Sequence, residues 1–165
     1  MATGRTTSKW TRFGCDDSSG VARELLVDSI TGVGLQFAAI DLTAYSDAVR
    51  GFLAGHPTAE IEIGGPFSNL AAAAFAASGL ASTPSGSHGV LSGITTPTFT
   101  TPLALAVHYG IRGYWATGDP VFGVVTASAT EGYLCYGYTV DGEKYKASFK
   151  PIPGSTPAWG TAIIG

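Results

Sequence analysis

The chain has 165 residues, of which 45% are apolar and only 13% charged, with a formal net charge of -3. The apolar share excludes a disordered chain, and the mild acidity excludes a basic surface that grips phosphate. The charge content is about half the ~25% of an ordinary soluble domain, so a lone monomer lacks groups to cover its surface. Two readings meet that shortage: a surface rich in Ser, Thr and Gly, or burial between subunits, and the balance falls toward the second. One β-rich domain spanning residues 1–165 is expected, long enough to bury a core.

Residues 1–12 are polar and read as an N-terminal arm without the apolar centre of a signal peptide. Asp16-Asp17-Ser18-Ser19-Gly20 is turn chemistry, because short polar side chains bond their own backbone and Gly accepts positive φ. Val33, Leu35 and Phe37 alternate as in a strand, with Gly32 and Gly34 marking a bulge or a close backbone approach. The next segment predicts a short amphipathic helix from Thr43 to Leu53. Thr43 is its N-cap, Asp47 lies near the positive end of the dipole, and Tyr45, Val49, Phe52 and Leu53 form one face. Gly51 or Gly55 ends it. Ile61 and Ile63 then alternate with Glu60 and Glu62, the pattern of a half-buried strand.

Leu70 to Leu80 is Ala-rich and predicts a second short helix. Residues 81–102 form a nearly charge-free Ser/Thr/Gly/Pro loop. So long a loop is either disordered or an arm ordered by a neighbouring subunit. From Leu103 onward the pattern is β: Leu103 to Ile111, Val121 to Ala127, Tyr133 to Tyr138, and Lys144 to Lys150 after the hairpin signal Asp141-Gly142. Lys144, Lys146 and Lys150 opposite Tyr145 and Phe149 suit an edge or outer strand. The tail 151–165 ends in Ala162-Ile163-Ile164, an apolar group that needs a surface to dock on.

No catalytic pattern stands out. His56, His88 and His108 lack a supporting nucleophile motif, and Cys15 and Cys135, far apart in sequence, match no zinc or redox spacing and read as small thiols. Asp16-x-Ser18-x-Gly20 lacks the later carboxylate of a calcium loop, and Gly32-Val33-Gly34 lacks the rest of a phosphate cradle. Glu60 and Glu62 share a strand face and repel, which favours exposure over an acid/base pair. Aromatics such as Trp10, Tyr114, Trp115, Tyr133, Tyr136, Tyr138 and Trp159 suit core and interface packing, or else a sugar platform. No catalytic residue, cofactor or metal is expected. The longest apolar run, Leu70 to Ala77, is far short of the ~20 residues of a membrane span, so a soluble protein made in a cytoplasm, with no membrane partner, is expected.

Several phrases resemble the siphophage-type major tail (tail-tube) proteins. These are the acidic turn Asp16 to Gly20, Asp41-Leu42-Thr43-Ala44-Tyr45-Ser46-Asp47, Gly55 and Glu60-Ile61-Glu62-Ile63-Gly64-Gly65-Pro66-Phe67. More loosely, the closing Tyr145 to Pro151 and Pro153-Gly154-Ser155 match as well. The resemblance implies a β-sandwich or barrel with one flanking helix, whose face Tyr45, Val49, Phe52 and Leu53 would brace the sheet. It implies hexameric rings with sheets joined edge to edge, stacked into a virion tail tube that other tail proteins adjoin. DNA would pass in transit without tight binding, and Glu60 and Glu62 would face solvent or the lumen. The rival readings are a capsid decoration protein, which leaves the strand-helix-strand order unexplained, and a carbohydrate-binding β-sandwich.

Overall fold

The computed structural model describes residues 11–46, 48–76, 86–110 and 116–165. Two antiparallel sheets face each other. The larger, sheet A, runs in the order β12 (Ala158–Gly160), β9 (Val121–Val124), β8 (Leu105–Tyr109), β1 (Thr11–Asp16), β2 (Ala22–Leu25) and β7 (Ala73–Ala74). The smaller, sheet B, runs β10 (Tyr133–Asp141), β11 (Lys144–Pro151), β6 (Ile61–Pro66) and β3 (Ser29–Thr31). Among the described residues no sheet closes into a barrel, so the sandwich alternative holds.

Period-two alternation builds the core. Phe13 and Cys15 of β1, Leu105 and Val107 of β8, and Phe122 and Val124 of β9 point inward from sheet A. Ile61 and Ile63 of β6, and Tyr145, Ala147 and Phe149 of β11, meet them from sheet B. Phe13 and Phe149 touch with ring centroids 5.7 Å apart. The turn after β1 forms as the sequence predicts: Asp17 Oδ1 accepts from the Ser19 and Val21 amides, and Gly20 has φ +78°. Gly32, at φ +79°, lies where a Cβ would run into the Glu60 carbonyl, so the expected close backbone approach is real.

Sheet A carries a third layer. The outward face of β1 includes Gly14, and a Cβ there would clash with Phe75 and crowd Ile164. The chain end lies across this face, with Ile164 buried against Ala104, Ala106 and Val121. The apolar tail end has thus found its surface within the same chain.

Three sequence expectations are corrected. Among the described residues the helix from Thr43 to Leu53 is absent. Instead β4 (Gln36–Asp41) and β5 (Phe52–Thr58) form a separate hairpin, with Asp41 opposite Phe52 and a bulge between Phe37 and Ala39. Asp41 Oδ1 accepts from the Thr43 amide and hydroxyl, and Thr43 Oγ1 accepts from the Gly51 amide. The Asp-x-Thr phrase therefore closes the hairpin end as an Asx turn rather than capping a helix. Tyr45, Val49, Phe52 and Leu53 are all exposed and brace nothing, because no second layer covers that segment among the described residues. Asp47 lies outside the described residues.

The second correction concerns the Ala-rich run, whose residues 70–76 are not helical. Ala73–Ala74 pairs with β2 in the register Arg23 opposite Ala74. A ladder partner outweighs the helix propensity of Ala, which is weak over so few residues. The third is the helix the sequence hid: α1 (His88–Ile94) lies inside the Ser/Gly loop and buries Val90, Leu91 and Ile94 in the sandwich core. Residues 1–10 of the expected arm, 81–85 of the loop, and Trp10, Tyr114 and Trp115 lie outside the described residues.

Two substitutions test this core. Phe149→Ala is expected to lose roughly 3–5 kcal/mol of unfolding free energy in denaturant titration, because it opens a cavity opposite Phe13. Tyr133 is fully buried and its hydroxyl has no hydrogen-bond partner among the described residues. Tyr133→Phe is therefore expected to leave stability unchanged or raise it by about 1 kcal/mol.

Candidate assembly interface

Sheet B presents one regular polar face to the outside. Because Tyr145, Ala147 and Phe149 point inward, Lys144, Lys146, Ser148 and Lys150 point outward along β11. On the adjacent β6, Glu62 lies opposite Ser148, and on β10, Thr139 lies opposite Lys146. Glu60 and Glu62 are both exposed on this face and are not paired with each other. Glu60 instead lies 3.4 Å from the Lys150 ammonium, and Lys144 lies 2.9 Å from Asp28. The face thus nearly balances its own charge. An open depression of about 720 Å³ at its end is lined by Asp28, Ser29, Asp141, Lys144 and Lys146.

Strand β10 is the outer strand of sheet B and carries Tyr136 and Val140 exposed. Its nine residues contain no Lys, Arg or Pro, but Tyr133 is bridged to Leu103 and a bulge lies between Cys135 and Gly137, so the regular free edge is residues 137–141. The β4–β5 hairpin adds a second apolar, uncovered element.

The groups with catalytic potential are dispersed over the fold. His88 Nδ1 lies 2.9 Å from the Tyr138 hydroxyl and its ring packs on Phe67. His56 is exposed on β5. His108 is fully buried beneath Phe75, where its Nε2 accepts from the Ile164 amide at 3.4 Å. Burial, and then the nearby Arg12 charge, depress its pKa to about 3, against weaker opposition from backbone hydrogen bonds. Arg12 is itself buried, forked onto Glu24 at 2.8 and 2.7 Å. Cys15 and Cys135 are both free thiols; burial pushes Cys15 well up and Cys135 to about 11, so neither is primed as a nucleophile. Among the described residues no cluster of His, Cys, Asp and Glu is arranged to hold a metal, and no helix is long and apolar enough to cross a membrane.

The Lys ladder alternates as the sequence predicts and shares one face with Glu60 and Glu62, but β11 is an interior strand of sheet B, between β10 and β6, rather than the edge or outer strand expected. Sequence reasoning missed the hairpin and the strapped outer face of sheet A. The signal for the strap was the apolar Ile163-Ile164 end, and for the hairpin the β-favouring Phe37, Ile40 and Phe52.

No protein-family model and no curated protein matches the sequence. Solved structures do match in fold. A chain in the cryo-EM structure of the anti-feeding prophage baseplate aligns at TM-score 0.58 and 6% identity, over 97% of this chain and 97% of that one. A chain in the structure of the anti-feeding prophage cap, described as a tube terminating cap, aligns at 0.57 and 8%, over 96% and 92%. A chain in the sheath-tube complex of an extracellular contractile injection system, PVC, in its extended state aligns at 0.51 and 8%, over 96% and 93%. The shared fold is thus one found in chains of anti-feeding prophage and extracellular contractile injection system structures.

The buried imidazole gives a pH dependence with a definite sign. An unfolded His titrates near ~6.5, whereas His108 in the fold resists protonation down to about 3. The unfolded chain therefore binds the extra proton as pH falls below about 6.5, and stability declines through that window. The urea midpoint is expected to drop between pH 7 and pH 5, and His108→Gln to flatten that drop. An equal slope in the variant would remove His108 as its source.

Proposed function

We propose that this chain is a structural subunit of a phage-tail-like tube, forming hexameric rings that stack around a channel, with other tail proteins as neighbours. The observation that carries the reading is sheet B: a regular polar face ending in the edge strand β10, whose residues 137–141, beyond its bulge, carry no Lys, Arg or Pro. An edge of this kind is a template for another strand, so sheets of successive copies join side by side and the polar face becomes a continuous wall. The fold shared with chains of tube cap, baseplate and sheath-tube structures supports the same reading.

In this arrangement Glu60, Glu62, Lys146 and Lys150 line the lumen. Lys150 beside Glu60 and Lys144 beside Asp28 cancel much of the field that would hold a polyanion. Such a wall lets DNA pass without gripping it, since stable phosphate binding needs uncompensated Lys and Arg. The finished subunit belongs in the tail of a virion or a tail-like particle, and its role is mechanical rather than catalytic.

Electron microscopy of the purified wild-type protein is expected to show rings or tubes. Tyr136→Lys with Val140→Lys on the β10 edge is expected to leave the fold intact and the protein monomeric in sedimentation. A wild-type protein that stays monomeric at high concentration, coats empty capsids, or binds glycans would overturn the proposal.

A further inference from the structure

At the Asp16 end of β1 lies an open groove of about 720 Å³, within the ~300–1,000 Å³ of small-molecule sites. Asp16 lines it together with Thr100, Thr101, Pro102, Ser128 and Ile152. Among the described residues its carboxylate is the one charged group in the lining, and Asp16 is only 7% exposed. Its Oδ2 accepts from the Ala104 amide at 2.9 Å, while nothing among the described residues donates to Oδ1. The neighbouring cations are committed elsewhere: Arg12 is forked onto Glu24, and Arg23 is held by Asp17. Burial raises the Asp16 pKa, the Ala104 hydrogen bond opposes that rise, and the Asp17 charge adds to it. A carboxylate so placed lacks a counter-ion.

We propose that this groove binds an ammonium or guanidinium group carried on an aliphatic stem, with Asp16 as its counter-ion. The lining selects that chemistry. Asp16 Oδ1 is the acceptor for a charge-assisted hydrogen bond, the stronger kind. Thr100 and Thr101 add hydroxyl oxygens, and Pro102 and Ile152 add apolar wall against which methylenes pack. An anion is repelled, and a sugar lacks the charge that Asp16 needs. A calcium ion takes about 6–8 oxygens, usually from several carboxylates, whereas one carboxylate lines the groove. The fitting group is presented either by a free amine or by a Lys or Arg of an adjoining chain. The groove lies away from the polar face of sheet B and from β10, so its chemistry does not depend on how copies of the chain associate.

The probe is Nα-acetyl-arginine amide, followed by saturation-transfer NMR on the wild-type protein. Its uncharged counterpart, Nα-acetyl-citrulline amide, is the control. The arginine probe is expected to bind saturably in the millimolar range, and the citrulline probe about tenfold more weakly. Asp16→Asn keeps an acceptor for the Ala104 amide and should weaken arginine binding by about tenfold or more. Thr101→Arg alters an exposed side chain and brings a tethered cation to the groove. It should block the probe and raise the melting temperature, because its guanidinium reaches Asp16.

Equal signals from the two probes, or undiminished arginine binding by either folded variant, would overturn the site. If Asp16→Asn does not fold, Thr101→Arg decides alone. Binding to free subunits but not to assembled particles would assign the cation to an adjoining chain. Binding to both would assign it to a free amine, and either result upholds the site. A protein that never assembles still takes or refuses the probe, so failure of the groove and failure of the tube are told apart.

Discussion

Phe13 and Phe149 pack in the middle of the sandwich, one from an interior strand of each sheet. Most of the rest depends on that contact. It fixes which face of β1 is inward, and antiparallel register then fixes the facing positions of β2 and β8. On the other side it fixes β11, and through β11 the inward Ile61 and Ile63 of β6 and the outward Lys ladder. A slip of one residue in either strand would turn lysines into the core and aromatics into water. The polar face is thus a consequence of the core.

A second constraint is how few charges the chain has and where it uses them. Arg12 and Glu24 are committed to one buried, bidentate pair on the covered side of sheet A, with Arg12 also stacked on Phe75. Arg23 is engaged by Asp17. A buried pair of this sort contributes little net stability compared with apolar packing, yet removing one partner strands the other. Little charge remains for the hairpin, the β10 edge and the sandwich end. These are the surfaces a lone monomer would most need to solubilise, and an assembling subunit would most need to keep dry. Low charge content and open apolar elements are therefore one property seen at two levels.

Legibility differed from element to element for physical reasons. The segment Lys144 to Phe149 was readable because strict alternation of Lys with apolar residues has no helical rival. The turns at Asp16 to Gly20 and Asp141-Gly142 were readable because their conformations are set by their own side chains. The segment from Asp41 to Phe52 was misread because its signals are ambiguous. Asp-x-Thr serves an Asx turn as readily as a helix start, and its apolar residues fit both periods. α1 was hidden by a Ser/Gly-rich composition, since its stability comes from burying Val90, Leu91 and Ile94 rather than from propensity or a side-chain cap.

The sequence by itself determined that the chain is β-rich, that β11 has a wet and a dry face, that its surface is too poor in charge for an ordinary monomer, and that its thiols and imidazoles form no recognisable catalytic pattern. Each of these follows from residue type and from spacings of one or two positions. Only the tertiary structure decided that residues 36–58 stand apart as a hairpin, that the C-terminal isoleucine straps the outer face of sheet A, and that the glutamates and lysines share one wall. Those outcomes turn on which surface is available to cover an apolar side chain. That surface comes from strands far away in the sequence, as when β1 supplies the ground on which Phe75 and Ile164 settle.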